Sequence, residues 1–377
     1  MAFIQYINRI QFDFGALRLL GQELQGLGVG KPLLVTDAGV VASGILDQVV
    51  QALGTQPFAL FAQAPRHPDL PSIRSALALY RECGCDGLVA VGGGAPIDLA
   101  KGIALLATHD GALESYGAHH GGSARIGAHV APVLAVPTTA GTGSEIGRGA
   151  GIALVPGGEK TVLLSVHLIP KVAIYDPELT LSLPPAVTAG TAIDALSHCL
   201  EPFLSPAVNP PVDAIALDGI GRLHRFAETA VREGSNRQAR WEVMMGALEG
   251  GMCFWKGLGP AHALSIPLDT YDLHHGTLVG VLLPHSVRFQ AEACGAKYDQ
   301  LRQVLAGRDP VAALQDLNRR LGLPGALSEL ARVPPGDFER IGQQAAASVF
   351  NRNAARIGTP GDYVAMLTEA FGGPAHA

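Results

Sequence analysis

GLVAVGGGAPIDLAK, residues 87–101, is the stretch that decides the fold. Residues 87–91 are a near-continuous apolar run, short enough for a buried strand. Three glycines follow, where the backbone can turn sharply and approach a ligand without Cβ clashes. Pro96 suits the first turn of a helix, and Asp98 lies in that turn. Strand, glycine turn and helix N-terminus together make a phosphate cradle. The pattern is neither G-x-G-x-x-G nor a Walker loop, because the Lys and Ser/Thr of the latter are missing.

Working upstream, residues 31–37 read as a buried strand ending at the carboxylate of Asp37. A helix over 43–53, a strand over 57–61 and a helix over 72–81 then lead to the glycine turn. Apolar strands separated by helices predict a parallel sheet covered on both faces, with ligands at the carboxyl ends of the strands. Downstream, a strand over 133–136 runs into PTTAGTGSE, residues 137–145. Its hydroxyls and accessible backbone N–H groups fit a second wall of the same ligand cleft. Residues 149–155 and 160–165 read as a hairpin, and 172–176 as the last strand of this half. The first 15 or so residues alternate apolar and polar, as expected of an extended arm pairing with another subunit.

From Pro184 on, helical periods take over, with candidates at 187–203, 212–232, 237–256, 285–294, 298–305, 310–321 and 338–347. The chain therefore divides into an α/β domain, 1–183, and an all-helical domain, 184–377. The helical half opens on TAGTAIDALSHCLE, which places Asp194 and His198 one turn apart on one face. Such a pair alone is usually a helix-surface hydrogen bond. A second cluster, GPAHALSIPLDTYDLHHGTLVGVLLPH, adds His262, His274, His275 and His285. A carboxylate with several imidazoles is a mixed O/N ligand set, suited to Zn²⁺ or Fe²⁺ rather than Ca²⁺ or Mg²⁺.

At 377 residues, with 48% hydrophobic and 16% charged content, the composition is that of two globular domains with sizeable cores. A net charge of −6 and the lack of any Lys/Arg cluster exclude a nucleic-acid field. No stretch is apolar enough for a membrane span, and the opening residues lack a secretory h-region. The five cysteines, Cys83, Cys85, Cys199, Cys253 and Cys294, are odd in number and scattered; they read as reduced packing residues of a cytoplasmic protein.

Taken in order, VTD ending at Asp37, GGGAPIDLAK, PTTAGTGSE, DPELTLSLPP at 176–185, IDALSHCLE at 193–201, and AHALS with HHGTLVGVLLPH near 261–285 resemble the iron-containing (group III) alcohol dehydrogenase family over nearly the whole chain. The resemblance implies a Rossmann-like dinucleotide-binding domain, an all-α domain, a metal in the cleft between them and a homodimer or larger oligomer. Its metal ligands would be Asp194, His198, His262 and His275, holding Fe²⁺ with Zn²⁺ as the alternative. Asp37 would meet the adenosine ribose and repel a 2′-phosphate, favouring NAD over NADP. Gly93, Gly94, Ala95 and Asp98 would hold the pyrophosphate region. Thr138, Thr139, Thr142 and Ser144 would lie toward the nicotinamide, and Lys160 would face the cofactor.

Three positions depart from the family pattern. Ala95 stands where a serine is usual, Ile266 replaces a histidine expected four residues after His262, and the segment from 267 to 275 is short. His274 or Tyr271 would then substitute for the missing histidine in substrate handling or proton relay. The implied reaction is metal-dependent, NAD(P)-linked hydride transfer between a small alcohol and its aldehyde or ketone. Maleylacetate reductase is an alternative within the architecture, and a dehydroquinate synthase-like sugar-phosphate cyclase is one from another reaction class.

Overall fold

The computed structural model describes residues 8–158, 160–330 and 333–372. Those up to Ser182 form one compact unit and those from Leu183 onward another. The first unit is built on a six-stranded, all-parallel sheet: β1 (Arg9–Phe12), β2 (Pro32–Val35), β3 (Ala59–Phe61), β4 (Gly87–Gly92), β5 (Val133–Pro137) and, after a hairpin, β8 (Val172–Tyr175). Spatial order is β1-β8-β5-β4-β2-β3, so the winding reverses between β2 and β4. The hairpin pairs β6 (Gly149–Ala153) with β7 (Lys160–Leu164), antiparallel.

Strand side chains alternate between two apolar layers. Leu33, Val35, Leu88 and Ala90 face one core with Ile73, Leu77, Leu99 and Ile103. Leu34, Val89, Val91 and Leu134 face the other, with Leu20, Leu24, Val49 and Leu53. Both layers are needed because a parallel sheet has no solvated face, which is why its strands read as unbroken apolar runs rather than alternating ones. Asp69 caps the helix Leu70–Glu82, its Oδ1 accepting the Ser72 N–H at 2.8 Å.

The expected subunit arm is corrected for residues 9–12. They are β1, paired in parallel register with β8 of the same chain, Arg9 opposite Val172 and Phe12 opposite Tyr175. Arg9 is exposed and Ile10 to Phe12 are half-buried, as on a sheet edge. The remainder of that expectation, residues 1–7, lies outside the described residues.

Among the described residues, the second unit contains helices only, led by Pro185–Leu204, Pro210–Arg232, Arg237–Met252, Pro260–Leu268, His275–Cys294 and Phe338–Ala347. Pro185–Leu204 is buried without a break from Thr188 to Leu204 and is the central element. Its backbone touches that of His275–Cys294: a Cβ on Gly276 would stand 2.1 Å from the Gly190 carbonyl oxygen. That contact brings the two helices to backbone distance.

The helix expected to begin at residue 285 begins ten residues earlier, at His275. Pro284, directly before that expected start, lies inside the helix. Proline removes the N–H that the carbonyl four residues back requires, here that of Gly280. The buried Asn318 supplies the replacement, its Nδ2 donating to Gly280 O at 2.7 Å. A side chain thus repairs the helix where the main chain cannot. Pro267 conceals the helix Pro260–Leu268 from the sequence pattern in the same way.

Candidate metal centre and nucleotide cradle

The carboxyl ends of β2, β4 and β5 carry the residues expected to hold the nucleotide. Asp37 is half-buried and caps the helix Ala38–Ala42, its Oδ1 accepting the Val40 N–H at 2.9 Å. Thr36 ties this end of β2 to β4 by donating to Val91 O at 2.9 Å. Gly93 precedes the helix Gly94–Thr108 with no side-chain cap, and Ala95 lies in the first turn. First-turn N–H groups left without an intrahelical partner make an anion site. Thr142 lies 3.0 Å from where a Cβ would stand on Gly94, so the loop after β5 closes against the glycine turn. Thr139 is half-buried beside it, and Thr138, buried, donates its N–H to Gly92 O at 3.0 Å.

Asp98 and Ser144 bind each other. Asp98 Oδ1 accepts the Ser144 hydroxyl at 2.5 Å and its Oδ2 accepts the Gly151 N–H at 2.9 Å. The Lys160 stem runs close by, over Gly151. A residue that sequence reasoning missed completes the network. Lys101, with no exposed surface, donates to Ser144 Oγ at 3.0 Å, Gly147 O at 2.9 Å and Gly149 O at 2.6 Å. Three acceptors satisfy three ammonium N–H groups. Burial lowers the Lys101 pKa to about 8, while Asp98 and Glu145 pull the other way. The available signal was its position one turn beyond Asp98 on the helix that leaves the glycine turn.

In the helical unit, Asp194 and His198 project from successive turns of Pro185–Leu204, and His262 from the first turn of Pro260–Leu268. His275 is the first residue of His275–Cys294. Asp194 Oδ1 lies 3.4 Å from His198 Nε2, 3.7 Å from His275 Nε2 and 3.8 Å from His262 Nε2. His198 and His262 face each other Nε2 to Nε2 at 3.2 Å. Four donors around an ion at roughly 2.0–2.1 Å stand about 3.4 Å apart. Asp194 Oδ1 is buried and makes no hydrogen bond, a costly state for a carboxylate unless a cation meets it. Among the described residues, Asp194, His262 and His275 are the one group of such side chains gathered closely enough for a metal, and His198 borders it through Asp194 and His262. The residues fit the ion.

Electrostatics agree. Burial alone pushes the Asp194 carboxyl upward, but His198, His275, His262 and His274 outweigh it and hold its pKa below the usual value. Two further carboxylates, absent from the sequence-derived candidates, stand behind the histidines. Glu201 Oε2 is 2.7 Å from His262 Nδ1, and Asp269 Oδ1 is 3.1 Å from His275 Nδ1. Glu201 was legible in principle, since 194, 198 and 201 share one helical face. Asp269 was not, because its partner lies across a turn.

His274 caps the helix it precedes, Nδ1 accepting the Thr277 N–H at 3.3 Å. The Tyr271 hydroxyl is engaged by Asp337 and by Arg340, the latter at 3.0 Å. His285 is separate from the cluster and faces Glu369 at 3.6 Å.

Residues 8–177 match the iron-containing alcohol dehydrogenase family, and residues 188–371 match the C-terminal part of the Fe-containing alcohol dehydrogenase family. The chain belongs to the iron-containing alcohol dehydrogenases. With membership come NAD-linked alcohol dehydrogenase activity, acting on CH–OH groups, and a divalent metal. The chain is 45% identical to a 4-hydroxybutyrate dehydrogenase of Cupriavidus necator, covering 98% of this chain and all of the relative. Its fold matches that of a 1,3-propanediol oxidoreductase with a TM-score of 0.92 at 32% identity, over 98% of this chain and 100% of the other. A sulfoacetaldehyde reductase from Bifidobacterium kashiwanohense, solved with NAD⁺, matches with a TM-score of 0.90 at 25% identity, over 98% and 99% of the two chains. No helix among the described residues is long and apolar enough to cross a membrane.

Proposed function

We propose that this iron-type dehydrogenase uses NAD rather than NADP and holds Fe²⁺, with Zn²⁺ as the alternative, on Asp194, His198, His262 and His275. The observation that carries the reading is the unbonded, buried Asp194 Oδ1 with three imidazole Nε2 atoms 3.4–3.8 Å away. A divalent ion bound there would lower the pKa of an alcohol oxygen and polarise its C–O bond. The chain's own part is positional: the helical unit orients the reacting group, and the glycine turn with Thr138, Thr139 and Thr142 orients the nicotinamide. Asp37 supports NAD, because a carboxylate at the end of β2 opposes a 2′-phosphate.

For substrate we propose a short alcohol or aldehyde carrying an anionic group at its far end. The support is that relatives named for 4-hydroxybutyrate and for sulfoacetaldehyde both fit that description. A plain diol, as in the 1,3-propanediol enzyme, is the second reading. An intact carboxylate and three histidines favour dehydrogenase chemistry over a maleylacetate reductase or a sugar-phosphate cyclase. His274 and Tyr271 are proposed to serve proton transfer in place of a histidine at Ile266. We further propose a homodimer or larger assembly working in the cytoplasm.

Replacing His198 or His262 by Ala tests the centre. Both variants should lose bound metal and turnover while binding NAD⁺ with nearly unchanged affinity, since these residues lie in the helical unit. Full metal content and activity in both would refute the ligand set.

A further inference from the structure

We propose that Asp269 and Glu201 are positioning residues that decide which nitrogen of His275 and of His262 is left free for the metal, and that Asp269 sets how firmly the ion is held. The inference rests on the ligand reading above and extends it to what orients those ligands. A neutral imidazole has one N–H and one lone pair, and the partner of the first fixes the direction of the second.

For His262 the choice is forced. The Glu201 carboxylate receives the N–H groups of Gly259 at 2.9 Å and Ala261 at 2.7 Å, and the Ser286 hydroxyl at 3.3 Å. Every one of these neighbours donates, so Glu201 acts as an ionised acceptor. His262 Nδ1, at 2.7 Å, must therefore carry its proton, and Nε2 presents a lone pair toward Asp194 and His198. The ring is also walled in, with His198 stacked at 5.0 Å and Phe350 edge-on at 6.1 Å.

His275 is held differently. Its side chain is 33% exposed, against 3% for His262. Asp269 caps the C-terminus of the same short helix that carries His262 in its first turn, then the chain turns through Asp272 at φ 53° before His274 caps the next helix. The buried Asp269 thus reaches across six residues to His275 Nδ1 at 3.1 Å. The nine-residue helix Pro260–Leu268 carries the proposed ligand His262 in its first turn, and the residue capping its C-terminus is the orienting group for the proposed ligand His275. With less packing around His275, its orientation depends more on that bond than His262 depends on Glu201.

Three measurements on purified full-length protein test this: competition of Zn²⁺ and Fe²⁺ against a chelator, the ¹⁵N signature of the histidine tautomers in metal-free protein, and the Kd for NAD⁺. Asp269→Ala should weaken metal affinity by about 10–100-fold and remove the Nδ1–H signature of His275, leaving NAD⁺ affinity within about twofold. Asp269→Asn, whose amide oxygen still accepts the proton, should keep that signature and recover most of the affinity. Unchanged metal affinity in Asp269→Ala would overturn the inference, as would an Nδ1–H signature lost in Asp269→Asn or a parallel collapse of NAD⁺ binding. His275→Ala separates the two levels. If it leaves metal affinity intact, the ligand reading fails; if it abolishes affinity while Asp269→Ala leaves affinity unchanged, only the positioning role fails.

Discussion

The repair of the helix His275–Cys294 at Pro284 can be tested by a double-mutant cycle. In the wild type, Asn318 Nδ2 meets a Gly280 carbonyl that Pro284 cannot serve. Asn318→Ala leaves that buried oxygen unpaired, at a cost of about 1–3 kcal/mol. Some of this is offset, because Asn318 Oδ1 is itself buried without a partner and disappears too. A net loss of about 1–2 kcal/mol is expected. In a Pro284→Ala background, the new Ala N–H can take the same carbonyl, and Asn318→Ala should then cost little. The coupling energy should therefore be about 1–2 kcal/mol. Both tryptophans, Trp241 and Trp255, lie in the helical unit, so their fluorescence during urea unfolding reports that unit alone. Equal costs of Asn318→Ala in the two backgrounds would show that the asparagine does not stand in for the missing amide.

Two further outcomes are expected. Asp37→Gly should weaken NAD and improve NADP in kcat/KM; a wild-type preference for NADP would displace Asp37 from the ribose. His109 should make stability sensitive to mild acid. Its Nε2 accepts the Gly127 N–H at 2.9 Å, and burial, followed by His129 stacked at 3.9 Å and His167, lowers its pKa. A histidine with a folded pKa below its unfolded value of about 6.5 keeps its full contribution above that pH and loses it as pH falls. Thermal unfolding should thus show a drop in Tm below about pH 6.5 that His109→Gln reduces; an unaltered Tm–pH profile in the variant would refute the assignment.

What the sequence made legible follows from what its signals depend on. Strands β2, β4, β5 and β8 stood out because a sheet buried on both faces demands unbroken apolar runs. β1 did not, because four residues at a sheet edge carry too little pattern to separate them from an arm. The helices around the metal site were obscured by Pro267 and Pro284, whose local meaning is overridden by tertiary partners such as Asn318. The proposed ligands Asp194, His198, His262 and His275 were named from the sequence, the first two by spacing and all four by resemblance. Glu201, Asp269 and Lys101 were not, because each acts on a group elsewhere in the chain and its purpose is visible only in three dimensions.

The contact between Gly190 and Gly276 has a consequence for how freely this protein can change. Where two helices meet through side chains, each substitution alters their separation by the size of the residue exchanged. Here main chain lies on main chain at Gly276, and the His274 ring fills the space that a side chain on Gly190 would need. The spacing of Asp194 and His275, four residues beyond one glycine and one residue before the other, is thereby insulated from drift in the surrounding residues. Point mutations elsewhere on these helices can accumulate around that joint without moving the two proposed ligands apart.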